Sequence, residues 1–542
     1  MNNIKGFLHT EGKQIVNGAG EPIILTGWGL GNWLLQEGYM WLSGESRFDR
    51  PRRIEQVIEE LTGKEYADQF WKRYRRDYIR REDILYLAEL GYNSVRIPMH
   101  WRLLMEEGPG IVFKEEGFSL LEHCLDWCEE AGIYAFLDLH GAPGGQTGAN
   151  IDDSVDNVPR LFTDAHNKEK ALALWKELAV RFGGREVVGG YDLLNEPIAP
   201  ENAGYGNRDY LIPELEQFYR DAIALIREVD SNHLFSIEGP HWATETCIFH
   251  EKYDDNMVLH FHRYAENPER KILDAYLAKS EEWNIPLWLG ETGENLNEWY
   301  AALYPLSASL GIGYNLWTFK KMNCTNSPCS INTPADYELL LNYTKGGSHP
   351  GFEKARSILD EYLNNIRLEN CTLHPEITNH VFRQAPFTLR ATDFDEIPGK
   401  GISFSGVSQE TPEIAYREGC GMKLLKTDEG VEKRFAFDCG WDSYALVLSA
   451  GEFAEYTLMG KEAQTLFLTL SLWGESNGIL TAEIKGGAKE VLTITPGTKT
   501  LEAALPLSGE GSITLRVTVN EGQAGLTRLS FHTLQPSSRF SE

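Results

Sequence analysis

One stretch decides how this chain is interpreted: Tyr191-Asp192-Leu193-Leu194-Asn195-Glu196-Pro197. It follows two glycines as an apolar run, which is typical of a buried strand, and it ends in an amide and a carboxylate. Pro197 prevents the run from continuing as sheet. A single glutamate at a strand end is more often a solvated loop residue or a helix cap. A chemical role is therefore favoured only if further strands end in the same way.

A second apolar run, 286–293, carries the next such carboxylate, Glu291. Retaining cleavage of a glycosidic bond needs two carboxyl groups about 5 Å apart, one as nucleophile and one as acid/base. A cation such as Arg96 would lower the pKa of the nucleophile, and the ionised nucleophile would raise the pKa of the acid. This logic predicts Glu291 as the nucleophile and Glu196 as the acid/base.

Short apolar runs alternate with longer amphipathic stretches from residue 23 to about 365, which predicts βα repeats and a parallel sheet. The eight runs are 23–28, 93–97, 133–139, 187–194, 234–237, 257–262, 286–290 and 312–319. Three glycines, Gly91, Gly132 and Gly311, follow helical patterns and fit C-terminal caps. Eight units of this length predict an α/β fold, a closed (β/α)8 TIM barrel, rather than an open sheet.

A closed barrel places its active site at the C-terminal ends of its strands. Several predicted strands end in polar or aromatic side chains: Arg96, His140, Asn195 with Glu196, Glu238, His262 with Tyr264, Glu291 and Trp317. His260 and Asp138 are interpreted as structural. More than sixty residues separate the first two strands, and we expect part of that insertion to shape a pocket at the barrel rim.

The sequence pattern changes after residue 370. We predict a catalytic barrel domain over 1–370, a linker over 371–386 and a C-terminal all-β sandwich domain over 387–542. Short alternating runs at 443–449, 455–458, 465–472, 479–484 and 512–519 support the sandwich.

The composition restricts the partners of the protein. With 51 Lys and Arg against 80 Asp and Glu, the formal charge of −29 disfavours nucleic acid and anionic membrane. No apolar run predicts a membrane span, and the oligomeric state is left open. Eight dispersed cysteines lack metal-site spacing, so neither a metal nor a cofactor is expected. Two free thiols are favoured over a Cys324–Cys329 bridge. Without a signal-peptide pattern at the N-terminus, a cytoplasmic location is expected.

The chain resembles glycoside hydrolase family 5 from about Gly6 to Asn370. The matching motifs are Gly29-Leu30-Gly31-Asn32-Trp33-Leu34, Arg96-Ile97-Pro98, Asp138-Leu139-His140-Gly141-Ala142-Pro143-Gly144-Gly145-Gln146, Asn195-Glu196-Pro197, His262-Arg263-Tyr264, Gly290-Glu291-Thr292 and Trp317. This resemblance implies a retaining enzyme whose acid/base ends strand four and whose nucleophile ends strand seven.

The resemblance also implies roles for the remaining strand-end residues. Asn195 would hold the sugar 2-hydroxyl, and Tyr264 would flank the nucleophile. His262 would form a His-x-Tyr pair with Tyr264, Arg96 and His140 would lie around the −1 sugar, and Trp317 would form the platform beneath that sugar. The segment around Glu37 looks most like the exo-acting β-glucanase and β-glucosidase branch, in which that carboxylate would bind the outer hydroxyls of a terminal sugar.

The tail resembles the carbohydrate-binding modules of family 6. The matching residues are Ala391-Thr392-Asp393-Phe394-Asp395, Ala415-Tyr416-Arg417 and Ala450-Gly451-Glu452-Phe453-Ala454-Glu455-Tyr456-Thr457. Tyr416 and Trp441 are the candidate stacking residues, and a sandwich that only braces the barrel is an equal alternative.

The leading hypothesis is a retaining exo-acting β-glycosidase of the β-glucosidase or exo-β-glucanase type, with a carbohydrate or glycoside as substrate. A β-mannosidase or a diglycosidase of the same family is the alternative within this class. From another class, a catalytically silent glycan-binding protein would use the same pocket. The sequence leaves open the sugar, the linkage and the aglycone.

Overall fold

A computed structural model describes residues 4–395, 416–417, 420–427, 437, 441–507 and 509–533. The chain forms two compact units, and each is built from more than one segment. The first unit comprises Met1–Arg263, Ala275–Gly293 and Gly311–His374, and the second comprises Tyr264–Asp274, Glu294–Leu310 and Pro375–Glu542.

Eight parallel strands close into a barrel in the first unit, as the sequence predicts. The strands are β1 (Thr26–Gly29), β2 (Ser94–His100), β3 (Tyr134–Gly141), β4 (Val188–Asp192), β5 (Leu234–Glu238), β6 (Met257–Arg263), β7 (Leu287–Gly293) and β8 (Gly313–Trp317). Each pairs with the next in sequence, and β8 pairs with β1, with Tyr314 opposite Thr26. The carboxyl ends of all eight strands therefore lie at one end of the barrel.

The helices between these strands bury one apolar face, which is the arrangement that a 3.6-residue period predicts. The longer helices are Pro51–Thr62, Lys64–Tyr78, Arg81–Glu89, Glu115–Ala131, Ala165–Phe182, Ile212–Arg227, Asp274–Trp283, Asn297–Ser309 and Phe352–Asn365. The three predicted capping glycines all have positive φ: 96° at Gly91, 72° at Gly132 and 79° at Gly311.

The N-terminal end of the barrel is closed by apolar packing. Residues of the hairpin His9–Glu11 and Gln14–Val16 and its approach pack with side chains from the barrel interior. This cluster contains Leu8, Ile15, Leu25, Tyr134, Phe136, Leu234, Val258 and Trp288. Polar chemistry is thereby left to the opposite end, where the strands finish.

The insertion between β1 and β2 is tied to the barrel through a buried ion pair. The Lys320 ammonium donates to the Asp83 carboxylate and to the Tyr78 carbonyl, and the Lys320 and Asp83 side chains are both fully buried. Lys320 belongs to a small sheet of Lys320–Met322, Cys329–Ile331 and Thr372–Leu373 that follows β8. Cys324 and Cys329 are free thiols.

The described residues of the second unit form two antiparallel sheets, which agrees with the predicted all-β fold. The strands are β9 (Phe387–Arg390), β10 (Lys423–Lys426), β11 (Tyr444–Ser449), β12 (Phe453–Gly460), β13 (Gln464–Trp473), β14 (Gly478–Ile484), β15 (Lys489–Ile494), β16 (Thr500–Leu507), β17 (Gly511–Glu521) and β18 (Gln523–His532). One sheet has the order β10-β11-β18-β13-β16 with β9 on β18, and the other has the order β12-β17-β14-β15. Along β13 buried residues alternate with half-buried ones, as in a sandwich with one inner face.

The second unit also includes a helix that lies between β7 and β8 in the sequence, Asn297–Ser309. This helix packs against Pro375–Val381 and β9, and Arg383 Nε donates to the Ala301 carbonyl at 2.6 Å. The segment 371–386, predicted as a linker, thus contains a helix with its own packing. The predicted domain boundaries stay a prediction.

Among the described residues, no helix has both the length and the apolar character needed to cross a membrane.

Candidate active site

The C-terminal strand ends bring together a buried cluster of charged side chains around Arg96 of β2. The guanidinium is fully buried and contacts four carboxylates. These are Glu291 at 2.6 Å, Asp192 at 2.7 Å, Asp138 at 3.1 Å and Glu238 at 3.2 Å. Nη2 also donates to Asn195 Oδ1 at 2.8 Å. Arg96 therefore holds the ends of five different strands in register around one cation.

The two predicted reaction carboxylates, Glu196 and Glu291, face the same imidazole. His262 Nδ1 lies 2.8 Å from Glu196 Oε1 and 4.0 Å from Glu291 Oε1. One carboxylate oxygen from each glutamate and one ring nitrogen of His262 all lie within 4.8 Å of one another. Carboxyl groups separated by about 5 Å suit a retaining glycosidase, whereas inverting enzymes need about 6.5–9.5 Å to admit a water.

The backbone at Glu196 has a conformation that few non-glycine residues adopt. Its φ is +46°, and Ile198, two residues further on, has a φ of +56°. Two side-chain contacts hold the peptide. The Glu196 N–H donates to Glu238 Oε2 at 2.6 Å, and Thr147 Oγ1 donates to the Glu196 carbonyl at 2.7 Å. Strain of this kind persists where surrounding contacts fix it, and it concentrates at functional sites.

The Glu196 carboxyl has a raised pKa, which suits the role of a general acid. Burial raises its pKa, the contact with His262 lowers it and the nearby Glu291 and Glu238 add to the rise, and together they bring the pKa to about 7. Burial similarly raises the pKa of Glu238 well above its usual range, with Asp192 contributing. Glu196 can therefore keep a proton near neutral pH while Glu291 is paired with Arg96.

His260, which the sequence analysis interpreted as structural, orders the same network. Burial lowers its pKa to about 3, so the ring is neutral. Its Nδ1 lies 2.8 Å from Ser236 Oγ and 3.4 Å from carboxylate oxygens of Asp192 and Glu238. Its Nε2 lies 3.0 Å from His262 Nε2. His260 therefore links Ser236 of β5 to His262, which contacts Glu196 through Nδ1.

His140 and Trp317 form the wall on the other side of the cluster. Their rings stack in parallel, with centroids 5.2 Å apart and an interplanar angle of 2°. His140 Nδ1 contacts Asp138 Oδ2 at 2.8 Å, and its Nε2 lies 3.2 Å from Asn195 Nδ2. Burial lowers the pKa of His140 to about 3, so a neutral ring faces the site.

Glu37 is buried, with 6% of its surface exposed, and it immediately precedes the turn Gly38–Trp41. The following Tyr39 accepts a hydrogen bond from Trp317 Nε1 at 2.9 Å. The Glu37 segment is therefore joined to Trp317, and the predicted role of Glu37 in a pocket stays a prediction.

Tyr264 follows β6 directly but lies in the second unit. There its ring packs against Phe437, with centroids 4.8 Å apart, and Asn295 Nδ2 donates to its carbonyl at 3.4 Å. Its predicted place beside the nucleophile stays a prediction.

The two candidate stacking residues of the tail are both buried. Tyr416 and Trp441 each expose 1% of their surface, and the Tyr416 hydroxyl donates to Asp393 at 2.5 Å. A ring that stacks on a sugar must present a face to solvent. The structure therefore argues against the stacking role predicted for both residues.

Sequence reasoning missed three members of the cluster, and all three are carboxylates. Asp192 received no role, Asp138 was interpreted as structural, and Glu238 was noted only as a polar strand end. Each is fully buried and contacts Arg96. The signal that could have revealed them is an acidic residue at an inward position of a core strand, where a charge requires a partner.

Within the part of the chain that the structure describes, two groups of three side chains bring possible metal-ligand atoms close together. They are Glu238 with His260 and His262, and Glu196 with His262 and Glu291. Both ring nitrogens of His262 already have hydrogen-bond partners within these groups. A metal ion would have to replace those bonds, so we interpret both groups as one hydrogen-bonded network.

Comparison with known proteins gives a consistent family. The family described as Cellulase (glycosyl hydrolase family 5) matches residues 57–323. A glucan 1,3-beta-glucosidase of Candida oleophila is 31% identical over 367 residues, which cover 63% of this chain and 79% of the relative. A beta-xylosidase of Phanerodontia chrysosporium is 28% identical over 306 residues, covering 53% of this chain and 61% of that protein. Endoglucanase C of Acetivibrio thermocellus is 26% identical over 197 residues, covering 36% and 53% of the two chains.

Replacing Arg96 tests how far the cluster depends on its cation. Arg96→Met should lower the free energy of unfolding by roughly 3–5 kcal/mol at neutral pH, because buried carboxylates lose their partner. The control Arg73→Met breaks an exposed pair with Asp360 and should cost less than about 1 kcal/mol. Urea unfolding measures both. Equal small losses would contradict the central role of Arg96.

Proposed function

Because the chain belongs to glycosyl hydrolase family 5, we propose that it is a retaining β-glycosidase that removes sugars from the ends of β-glucosides or short β-glucan oligosaccharides. The observation that carries the proposal is the pair Glu196 and Glu291, whose carboxylate oxygens lie within 4.8 Å of each other and both face His262 Nδ1. The names of two relatives, a glucan 1,3-beta-glucosidase and a beta-xylosidase, support action on β-glycosides.

In the first step, Glu291 attacks the anomeric carbon while Glu196 gives its proton to the departing glycosidic oxygen. The bond to the aglycone breaks, and a glycosyl ester forms on Glu291. Glu196 is then a carboxylate beside His262 and takes a proton from water. The resulting hydroxide attacks the anomeric carbon, Glu291 leaves, and the protonated acid is restored.

The charges of the cluster suit these two roles. Arg96 Nη1 lies 2.6 Å from Glu291 Oε2 and favours the ionised nucleophile. Glu196 contacts His262 instead of the guanidinium and has a pKa near 7. The two carboxyl groups thus have different partners, a guanidinium for Glu291 and an imidazole for Glu196, and a retaining mechanism needs such a difference between its nucleophile and its acid.

We assign the −1 sugar to the space bounded by Asn195, His140 and Trp317. Asn195 Oδ1 is fixed by Arg96, which leaves the amide nitrogen for the sugar 2-hydroxyl or His140. We propose Trp317 as the platform beneath this sugar; its ring is buried, with 4% of its surface exposed, and its orientation is set by the stacked His140 ring and by Tyr39. Flat ring faces of this kind suit the apolar face of a pyranose.

Action at chain ends rests on Glu37. A buried carboxylate two residues before Tyr39, which accepts a hydrogen bond from Trp317, would bind outer hydroxyls of a terminal sugar, and an internal chain segment would place a further sugar where those hydroxyls lie. The likeness to an endoglucanase favours the alternative, an open cleft that accepts internal segments. A β-mannosidase or diglycosidase would use the same two glutamates, and a panel of aryl β-glycosides separates these sugars.

For the second unit we propose a fold related to carbohydrate-binding modules of family 6 that supports the chain structurally. Its two antiparallel sheets support the fold, and the burial of Tyr416 and Trp441 favours bracing over glycan stacking.

The proposed nucleophile can be tested directly. Glu291→Ala should reduce turnover to background, because no glycosyl ester can form. Added azide should restore activity and give the α-glycosyl azide, since a small anion can attack from the face that Glu291 occupied. Nuclear magnetic resonance identifies the product. If Glu291→Ala hydrolysed the substrate at the parent rate, Glu291 could not be the nucleophile and the proposed mechanism would be wrong.

The pKa of Glu196 predicts the alkaline limb of the pH profile. Its folded pKa is raised to about 7, so kcat/KM for alkyl β-glycosides should fall as pH rises through about 7 and the acid loses its proton. Substrates whose leaving group needs no protonation should show a weaker fall. In Glu196→Ala the limb should disappear. A limb that persists in this variant would mean that another group titrates.

Chain-end action can be measured with β-glucan oligosaccharides labelled at the reducing end. We expect stepwise release of monosaccharide, or of one fixed disaccharide, from the other end. Glu37→Ala should weaken binding of the terminal sugar by about 1–3 kcal/mol in kcat/KM, because the outer hydroxyls lose their charged partner. An early burst of mid-sized fragments from the parent enzyme would show an open cleft instead.

A further inference from the structure

Glu238 ends β5 and is fully buried at the centre of the cluster. Its two oxygens serve different partners. Oε2 accepts the backbone N–H of Glu196 at 2.6 Å. Oε1 lies 3.2 Å from Arg96 Nη2, 3.4 Å from His260 Nδ1 and 3.5 Å from His262 Nε2. One side chain thus contacts the backbone of the proposed acid and the cation paired with the proposed nucleophile.

The contact between Glu238 and the Glu196 N–H takes the place of a backbone hydrogen bond between β4 and β5. Regular pairing of β4 with β5 ends where Asp192 lies opposite Ser236, and the last bond runs from Leu193 N to the Ser236 carbonyl. Beyond this point the chain turns into the left-handed conformation at Glu196, with φ at +46°. The Glu196 N–H therefore has no strand neighbour to bond, and the Glu238 carboxyl takes that place.

The position of this bond determines where the acid points. A residue with positive φ is held by its surroundings rather than by its own backbone preference. The Glu196 carboxyl is joined to His262, and the Glu196 peptide is joined to Glu238, which also lies next to His262. The carboxyl and the peptide of Glu196 are therefore both held by the buried pair of His262 and Glu238.

We propose that Glu238 is a positioning residue for the acid/base, holding the Glu196 peptide in its left-handed conformation through an oxygen acceptor at a fixed distance from β5. The proposal rests on the proposed function, because it assumes that Glu196 protonates the leaving group. Glu238 does not touch the reacting atoms. Its removal should therefore affect the step that needs the acid far more than the attack by Glu291.

Two substitutions separate the acceptor from the charge. Glu238→Asp keeps the carboxyl but withdraws its oxygens by one methylene, and Glu238→Met keeps the chain length but offers no oxygen. Neither places an acceptor against the Glu196 N–H. If position matters, both variants should lose kcat/KM selectively on alkyl β-glycosides, by at least about tenfold more than on dinitrophenyl β-glycosides, within the 10²–10⁴ that general acid catalysis contributes.

The control is another buried carboxyl, Asp230, which accepts from the Tyr191 hydroxyl at 2.6 Å and pairs with His233 at 2.5 Å, outside the Arg96 cluster. Asp230→Asn should lower the melting temperature and leave the ratio of the two substrates unchanged. Melting curves of all variants establish that they fold. If Glu238→Met does not fold, Glu238→Asp decides.

Three results would overturn the proposal. In the first, the folded variants keep the parent ratio of kcat/KM on the two substrates. In the second, they lose kcat/KM equally on both substrates. In the third, Glu238→Met loses activity selectively on alkyl β-glycosides while Glu238→Asp behaves like the parent, which would indicate a role of charge alone. Glu196→Ala, measured alongside, separates this failure from that of the proposed function. If Glu196→Ala also loses kcat/KM equally on both substrates, the assignment of Glu196 as the acid is itself wrong. If the loss in Glu196→Ala is selective for alkyl β-glycosides, only the role proposed for Glu238 is wrong.

Discussion

The buried guanidinium of Arg96 is the constraint on which the rest of the site depends. Transferring several carboxylates from water into a barrel interior is expensive unless each finds a charged or hydrogen-bonded partner. Arg96 supplies that partner to residues from four other strands at once. Burial raises the pKa of Glu196, and the negative charge of Glu291 and Glu238 beside it adds to that effect. The same buried carboxylate cluster that Arg96 holds together therefore also contributes to the protonation of the proposed acid.

The sequence predicts the barrel well because its strands and helices are local patterns. The eight apolar runs, the capping glycines and the glutamates at two strand ends can each be found without knowledge of distant contacts. Barrel topology then brings every strand end to one place, so Arg96, His140, Asn195, Glu196, His262, Glu291 and Trp317 could be grouped in advance. Their grouping follows from topology alone, and the structure adds their distances and partners.

What the sequence could not predict depends on contacts between distant residues. Asp192 and Glu238 look like ordinary acidic residues until the fold places both beside Arg96. His260 and His262 lie two positions apart on β6, so both side chains point to the same face, but the 3.0 Å distance between their Nε2 atoms depends on how the surrounding strands pack. Tyr416 and Trp441 were predicted as exposed stacking residues, but the structure buries both. The presence of an aromatic residue in the sequence does not show whether the sandwich buries its ring.

The second unit is assembled from segments that are far apart in the chain, and this has a consequence during synthesis. Helix Asn297–Ser309 leaves the ribosome before Pro375–Val381 and β9, against which it packs. At about 5–20 residues per second, the rest of the chain needs on the order of ten seconds or more to appear. During that interval Trp299, Tyr300 and Leu303 lack part of their final surroundings. Nascent chains of this protein should therefore depend on chaperones that shield apolar surface until translation ends.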